Sequence, residues 1–349
     1  MNLATVAEEP LGLFRRLRPK LVALGIVTLV AACLAGIVLG PVDLPMSEVI
    51  RAVFDRIPFL EVETALSDRD LAILWQLRIP RVALGGLVGA TLAIAGAAYQ
   101  GVFRNPLADP YLLGVAAGAG FGATLAFVGL GGGGTAVPVA AFAGGVLAVV
   151  ATYLLGQLGS RATTQLVLAG VAVASFFTAA QTYVQQRNAD DLRVVYSWIL
   201  GRLATTGWKE VVLVLPYIAI ASTVILAHGR LLDTLAVGEA EAQALGVPVR
   251  RVRLLVVAAA TLGSAAVVAV SGLIGFVGII VPHTIRLLTG ESYRSVLPLS
   301  LLFGAGFLIA TDLAARTIES PAELPVGVIT AFVGAPFFLA VLRRAGRAR

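Results

Sequence analysis

Ten apolar runs, each about as long as a bilayer is thick, leave this chain few ways to fold. A helix rises 1.5 Å per residue, so about 20 apolar residues cover a hydrocarbon layer of roughly 30 Å. Such runs occupy residues 21–40, 81–101, 107–130, 136–157, 165–186, 208–227, 254–270, 272–288, 296–313 and 326–342. No water reaches backbone groups in lipid, so each run must close its own hydrogen bonds as a helix. The expected fold is all-α, a polytopic membrane protein of about ten transmembrane helices forming one domain over residues 1–349. Composition agrees: 58% of residues are hydrophobic and 13% charged, against roughly 25% charged in soluble domains. The first run is too long for a signal-peptide core and is read as a retained span.

The net charge of +6 does not mark a nucleic-acid binder, because the basic residues are scattered among the connections. With the N-terminus inside, most of the 26 basic residues fall in inside segments. The positive-inside rule then puts both termini in the cytoplasm. Cys33 is the only cysteine, which excludes an internal disulfide and a cysteine metal site.

Residues 229–253, GRLLDTLAVGEAEAQALGVPVRRVR, are polar and helix-prone between two apolar runs. Ala240 and Ala244 fall one turn apart, with Glu239 and Glu241 turned elsewhere. Gly246 and Pro248 stop the helix. The segment is either a solvated connector or a docking helix for a cytoplasmic motor. Arg104-Asn105-Pro106-Leu107-Ala108-Asp109-Pro110 breaks the chain between two spans, since its two prolines admit no continuous helix. On physics alone it is as much a capped hairpin as a functional break. Gly85 and Gly89, and Gly114, Gly118 and Gly122, repeat every four residues and suit close helix packing within one subunit. Thr163 caps the fifth span. Gln181 faces either a channel or a neighbouring helix. His228 and His283 are helix-end polar groups. Asp312 and Arg316 have the spacing of an i,i+4 ion pair. A repeat is suggested by residues 93–106 and 269–282, where Gly96 aligns with Gly272 and Pro106 with Pro282. The only lysines, Lys20 and Lys209, follow proline and tryptophan, so neither belongs to a phosphate-cradling P-loop.

Several of these phrases resemble one family. LAVGEAEAQALGV is similar to the coupling segment of the FecCD/BtuC-like permeases of type II ABC importers. YQGVFRNPLADPYLLGVAAGAG, GFVGIIVPHTIRLLTG and AELPVGVITAFVGAPFFLAVL are similar to its other signatures. The resemblance implies a homodimeric permease in the inner membrane of a prokaryote, multi-pass, working by alternating access. It implies two ABC ATPase subunits below, which bind ATP and Mg, and a substrate-binding protein on the outer face. The chain itself is then neither an ATPase nor the holder of a cofactor or metal. Residue by residue, the likeness places Asn105 and Leu107 at the cytoplasmic gate. Ala162, where related members often carry serine, and Thr163 form a second gate element. Gln181 lies on the translocation path. Glu239, Ala240, Glu241, Ala244, Leu245 and Gly246, within the coupling segment 229–253, meet the ATPase. Arg316, with Arg51, Arg56 and Arg69 as a further set, meets acids on the binding protein. The implied cargo is an iron chelate, ferric siderophore or haem, with cobalamin as the alternative. A different class, an ion-coupled secondary transporter, would place ionisable residues near the bilayer midplane. Asp109 and Asp312 instead fall near span ends.

Overall fold

The computed structural model describes residues 18–56, 62–156, 163–203 and 207–347. Among them every regular element is helical. In order these are α1 (Pro19–Val38), α2 (Met46–Asp55), α3 (Asp68–Ala72), α4 (Ile79–Phe103), α5 (Val115–Leu130), α6 (Ala136–Gly156), α7 (Thr163–Arg187) and α8 (Leu192–Ile199). There follow α9 (Lys209–Ala227), α10 (Gly229–Val237), α11 (Glu239–Ala244), α12 (Val249–Ser271), α13 (Val277–Thr289), α14 (Tyr293–Thr317) and α15 (Val326–Arg347). Seven of the described helical stretches are long and apolar enough to cross a membrane, and α5, α13 and the start of α15 are shorter apolar ones. Together they account for the ten runs of the sequence.

Helix α4 is the axis of the bundle. It is buried over almost its whole length and packs against α12, α13 and α14. Lipid tails give apolar helices no hydrophobic reason to associate, so contact must come from close packing. The glycines supply it. A side-chain carbon at Gly89 would lie 2.2 Å from the Gly304 carbonyl oxygen on α14. One at Gly96 would lie 2.1 Å from the Gly278 carbonyl oxygen on α13. On the other side of the molecule, a side-chain carbon at Gly118 would lie 2.2 Å from the Gly144 carbonyl oxygen and one at Gly122 would lie 2.1 Å from the Ala140 carbonyl oxygen, so these glycines join α5 to α6. The glycine stripes therefore pack within the chain. Gly114 is the exception: at φ +85° it links a short 3-10 turn, Pro110–Leu113, to α5.

Several boundaries differ from the sequence expectation. The third run becomes helical only at Val115, because the two prolines and Gly114 hold residues 107–114 in turns. The eighth becomes helical only at Val277. Gly272, at φ +68°, ends α12 against the Trp198 carbonyl, and residues 272–276 run unwound. The hydroxyl of Tyr111 donates to the Ile274 carbonyl (3.0 Å) and accepts from the Ile274 amide (3.1 Å). A break at membrane depth is tolerated when its polar groups are met in this way. The suggested repeat does not survive: Gly96 and Pro282 lie inside helices, while their partners Gly272 and Pro106 lie in a break and a loop.

The connection 41–78 is helical in part over its described residues. It holds α2 and α3, and a widened π-helical run, Ile73–Arg78, feeds directly into α4. Arg78 turns back to donate to the carbonyls of Ile37 (2.9 Å), Val38 (2.6 Å) and Val42, closing the exposed end of α1. A cation suits the carbonyl end of a helix.

Candidate functional site

Two ends of the bundle and one face carry the candidate residues. At one end, 229–253 folds as two short helices rather than one, because the chain is extended at Gly238 between α10 and α11. Gly246, at φ +81°, and Pro248 then terminate α11 and start α12. Ala242 is fully buried, whereas Ala240, Ala244 and Gly246 are exposed and Leu245 is 74% exposed. Val237 is exposed as well. Small residues and apolar side chains thus stand on the outside of a polar helical pair. The two acids stay at the surface but engage the segment itself: Glu239 pairs with Arg253 at the start of α12, and the Glu241 carboxylate folds over Gly238. On α10, Asp233 accepts from the Tyr293 amide and from the Ser292 hydroxyl (3.0 Å). Burial pushes its carboxyl up, and these donors oppose the shift.

The Arg104–Pro110 connection lies at the same end. Arg104 leaves α4 in the left-handed conformation, φ 50°. The Asn105 side chain accepts from the Leu107 amide (2.9 Å), and Asp109 accepts from the Tyr111 amide (2.8 Å). Both are side-chain turns, which Asn and Asp favour. Asn105 and Leu107 are exposed. Thr163 starts α7, and Ala162 lies outside the described residues.

Helix α7 presents an open groove of about 830 Å³ whose floor reaches Tyr111 and Leu112. Ser175, Thr178, Thr182 and Gln186 line it and are all exposed. At spacings of three and four they form one polar stripe along a membrane helix. Gln181 is not on it. Its amide packs on α5, where a side-chain carbon at Gly120 would stand 2.8 Å from Gln181 Oε1. Of the two readings of Gln181, the contact with a neighbouring helix is the one the geometry favours. The stripe has a sequence signal in the hydroxyls at 175, 178 and 182, weaker than the lone amide of Gln181 because Ser and Thr are common in membrane helices.

At the opposite end, Arg316 departs from expectation. Its side chain is 3% exposed, pairs with Asp312 at 3.2 Å, and donates to the Gly36 carbonyl at 2.9 Å. Arg81, from the start of α4, bonds Asp312 (2.9 Å) and Glu323 (2.8 Å). This cluster joins α1, α4 and α14. The assignment of Arg316 to a soluble partner is therefore corrected: a buried charge held by its own chain offers nothing to a docking surface. Arg51, Arg56 and Arg69 are exposed, with Arg51 paired to Glu48 (3.0 Å) and Arg56 over the Trp75 ring (5.0 Å). They remain on the surface but share no site.

Comparison with known proteins yields consistent likenesses. The model of the FecCD transport family matches residues 28–344. The cobalamin import system permease protein BtuC of Halobacterium salinarum is 41% identical over 272 residues, covering 78% of this chain and 73% of that one. The Fe(3+)-citrate import system permease protein YfmD of Bacillus subtilis is 36% identical over 276 residues, covering 79% and 83%. A solved transporter assigned to the metal-chelate type of ABC transporter, in an inward-facing conformation, superposes with a TM-score of 0.82. It is 29% identical and covers 94% of this chain and all of that one.

Proposed function

The chain belongs to the FecCD transport family, and from that premise we propose that it carries a metal chelate, first an iron chelate, through the membrane of a prokaryote. It is a multi-pass membrane protein and a transport component. In our reading two copies face each other across α7, and the polar stripe Ser175–Thr178–Thr182–Gln186 lines the path between them. That stripe carries the proposal. Ser175 and Thr182 return their hydroxyls to the helix's own carbonyls at Val171 (2.8 Å) and Thr178 (2.9 Å), and four exposed polar side chains on one face of a spanning helix suit a wet path better than lipid tails. A second copy supplies the other wall. The lining holds no charged side chain, which fits a bulky cargo whose metal is already wrapped by its ligands. A bare ion or oxyanion would call for charged partners.

Energy comes from a separate ATPase pair that binds ATP and Mg, and this chain needs no cofactor of its own. The pair docks on Ala240, Ala244 and Leu245, which places 229–253 and both termini in the cytoplasm. The opposite end then receives a substrate-binding protein, with Arg51, Arg56 and Arg69 as the surface cations there. ATP-driven closure of the motor shifts the balance of inward- and outward-facing states. Cobalamin is the second reading, favoured by the 41% identity to a cobalamin permease. The test is uptake into proteoliposomes holding the permease, ATPase and receptor. Ferric citrate, a ferric hydroxamate, haem and cobalamin are offered in parallel. Accumulation of an iron chelate but not cobalamin supports the first reading. Accumulation of cobalamin alone replaces it, and no ATP-dependent uptake of any of them refutes both.

A further inference from the structure

At the end carrying the helical pair, one chain of contacts joins the docking segment to the Arg104–Pro110 connection. It starts at Asp233 on α10, which holds the amide of Tyr293 and so seats the first turn of α14. The Arg286 guanidinium, on α13, lies 5.5 Å from the Tyr293 ring centre and donates to its hydroxyl at 3.4 Å. The other arm of Arg286 donates to Gln100 Oε1. The Gln100 amide nitrogen then donates to two backbone carbonyls, Gly278 on α13 (2.9 Å) and Ala108 in the connection (3.2 Å). Gln100 is 1% exposed, and its three bonds use both donors and one of the two acceptor sites of its amide in a dry place.

Two glycines let the chain close. A side-chain carbon at Gly101 would lie 3.0 Å from the Tyr293 ring and 3.3 Å from Leu232 of α10. One at Gly278 would lie 2.8 Å from Pro110 Cδ. The docking pair, the end of α4, the first turns of α13 and α14, and the exposed connection thus touch through a few atoms. The character of these contacts differs from that at the far end. There Arg81, Asp312 and Arg316 form a buried ion cluster, which is costly to part. Here Arg286 is shared between an amide and a phenol ring, both neutral, so parting either bond strands no second buried charge.

We propose that Gln100 and Arg286 are positioning residues that transmit displacement of the α10–α11 pair to the Arg104–Pro110 connection. This rests on the reading of 229–253 as the ATPase dock. A pull on α10 moves Asp233 and Tyr293, Arg286 follows the ring, and Gln100 carries the shift to Ala108 and Gly278. The ion cluster holds the far ends of α4 and α14 as the fixed point.

The test uses the assembled complex of permease and ATPase, with Pro106→Cys as reporter in a Cys33→Ser background. The readout is the rate of labelling by a water-soluble maleimide, without nucleotide and with ATP plus vanadate. ATP hydrolysis is measured on the same sample. The parent is expected to change its labelling rate at least fivefold between the two states. Gln100→Glu keeps the link to Arg286 but loses the donors to Ala108 and Gly278. Arg286→Lys loses the fork that reaches both Gln100 and Tyr293. In both, the response is expected to fall below twofold while the complex assembles and hydrolyses ATP within twofold of the parent. A retained fivefold response in both variants overturns the proposal. If either variant fails to assemble, Tyr293→Phe, which removes only the hydroxyl, is read in its place, with a weakened response expected. Failure of all three to assemble also overturns it, since the residues would then be structural. A parent that does not assemble with an ATPase refutes the docking reading itself, before any variant is compared.

Discussion

A methyl group at Gly96 is the sharpest probe of how this bundle is held. In Gly96→Ala the added carbon would stand 2.1 Å from the Gly278 carbonyl oxygen and 2.5 Å from its Cα. Both are backbone atoms, so no side chain can swing away. Helices α4 and α13 must part by roughly 1 Å, and a gap of that size forfeits about a quarter to a half of each dispersion contact along the seam. Overpacking of this kind costs typically about 1–3 kcal/mol. The Gln100 bond to the same carbonyl, 2.9 Å long, stretches past hydrogen-bonding range, for about 1 kcal/mol more. Alanine's helix propensity returns at most about 1 kcal/mol. The net expectation is a loss of about 2 kcal/mol. Gly129→Ala is the control, because a methyl there meets nothing within 4 Å and only propensity acts. It should be neutral or stabilising by up to about 1 kcal/mol. Reversible unfolding in mixed micelles, titrated with dodecyl sulfate, reads both. If Gly96→Ala moves the midpoint in the same direction as Gly129→Ala, the close packing of α4 on α13 is wrong.

Three further outcomes are expected. Ala244→Trp, at an exposed site, should leave the stability of the isolated permease within about 0.5 kcal/mol, yet the ATPase should no longer co-purify; full co-purification with full uptake would remove Ala244 from the dock. Arg81→Met strips the closest partner from the buried Asp312, so a loss of about 3 kcal/mol is expected, nearly independent of salt because buried pairs are poorly screened. Unfolding titrations at low and high salt check this, and a loss under about 1 kcal/mol would mean that Asp312 is satisfied without Arg81. The purified chain alone should show no ATP hydrolysis above an empty-vesicle control, with activity appearing on addition of its ATPase partner; robust turnover by the permease alone would contradict the missing P-loop.

The ten spans were legible from the sequence because the demand behind them is local. A segment in lipid must bond its own backbone, so length and apolarity alone determine where helices run. The helix stop at Gly246–Pro248 and the broken Arg104–Pro110 connection were legible for the same reason, as proline and glycine act on their own turn of chain. The exposed small residues Ala240 and Ala244 followed from helical spacing. Arg316 shows where that logic ends. Its i,i+4 relation to Asp312 was visible, but Arg81 reaches Asp312 from 231 residues away, and the Gly36 carbonyl comes from α1. Those two contacts turn an apparent surface cation into a buried one. Likewise Gln100 stands in an apolar run and must find a partner inside the protein, but which partner is not local: its tie to Arg286 exists because Gly96 and Gly278 let α4 and α13 meet. Hydrophobic pattern chooses which segments enter the membrane. It cannot choose which helix faces which, since every apolar surface is equally at home in lipid. Close approach at glycines and the pairing of distant polar groups make that choice, and both exist only once the chain is folded.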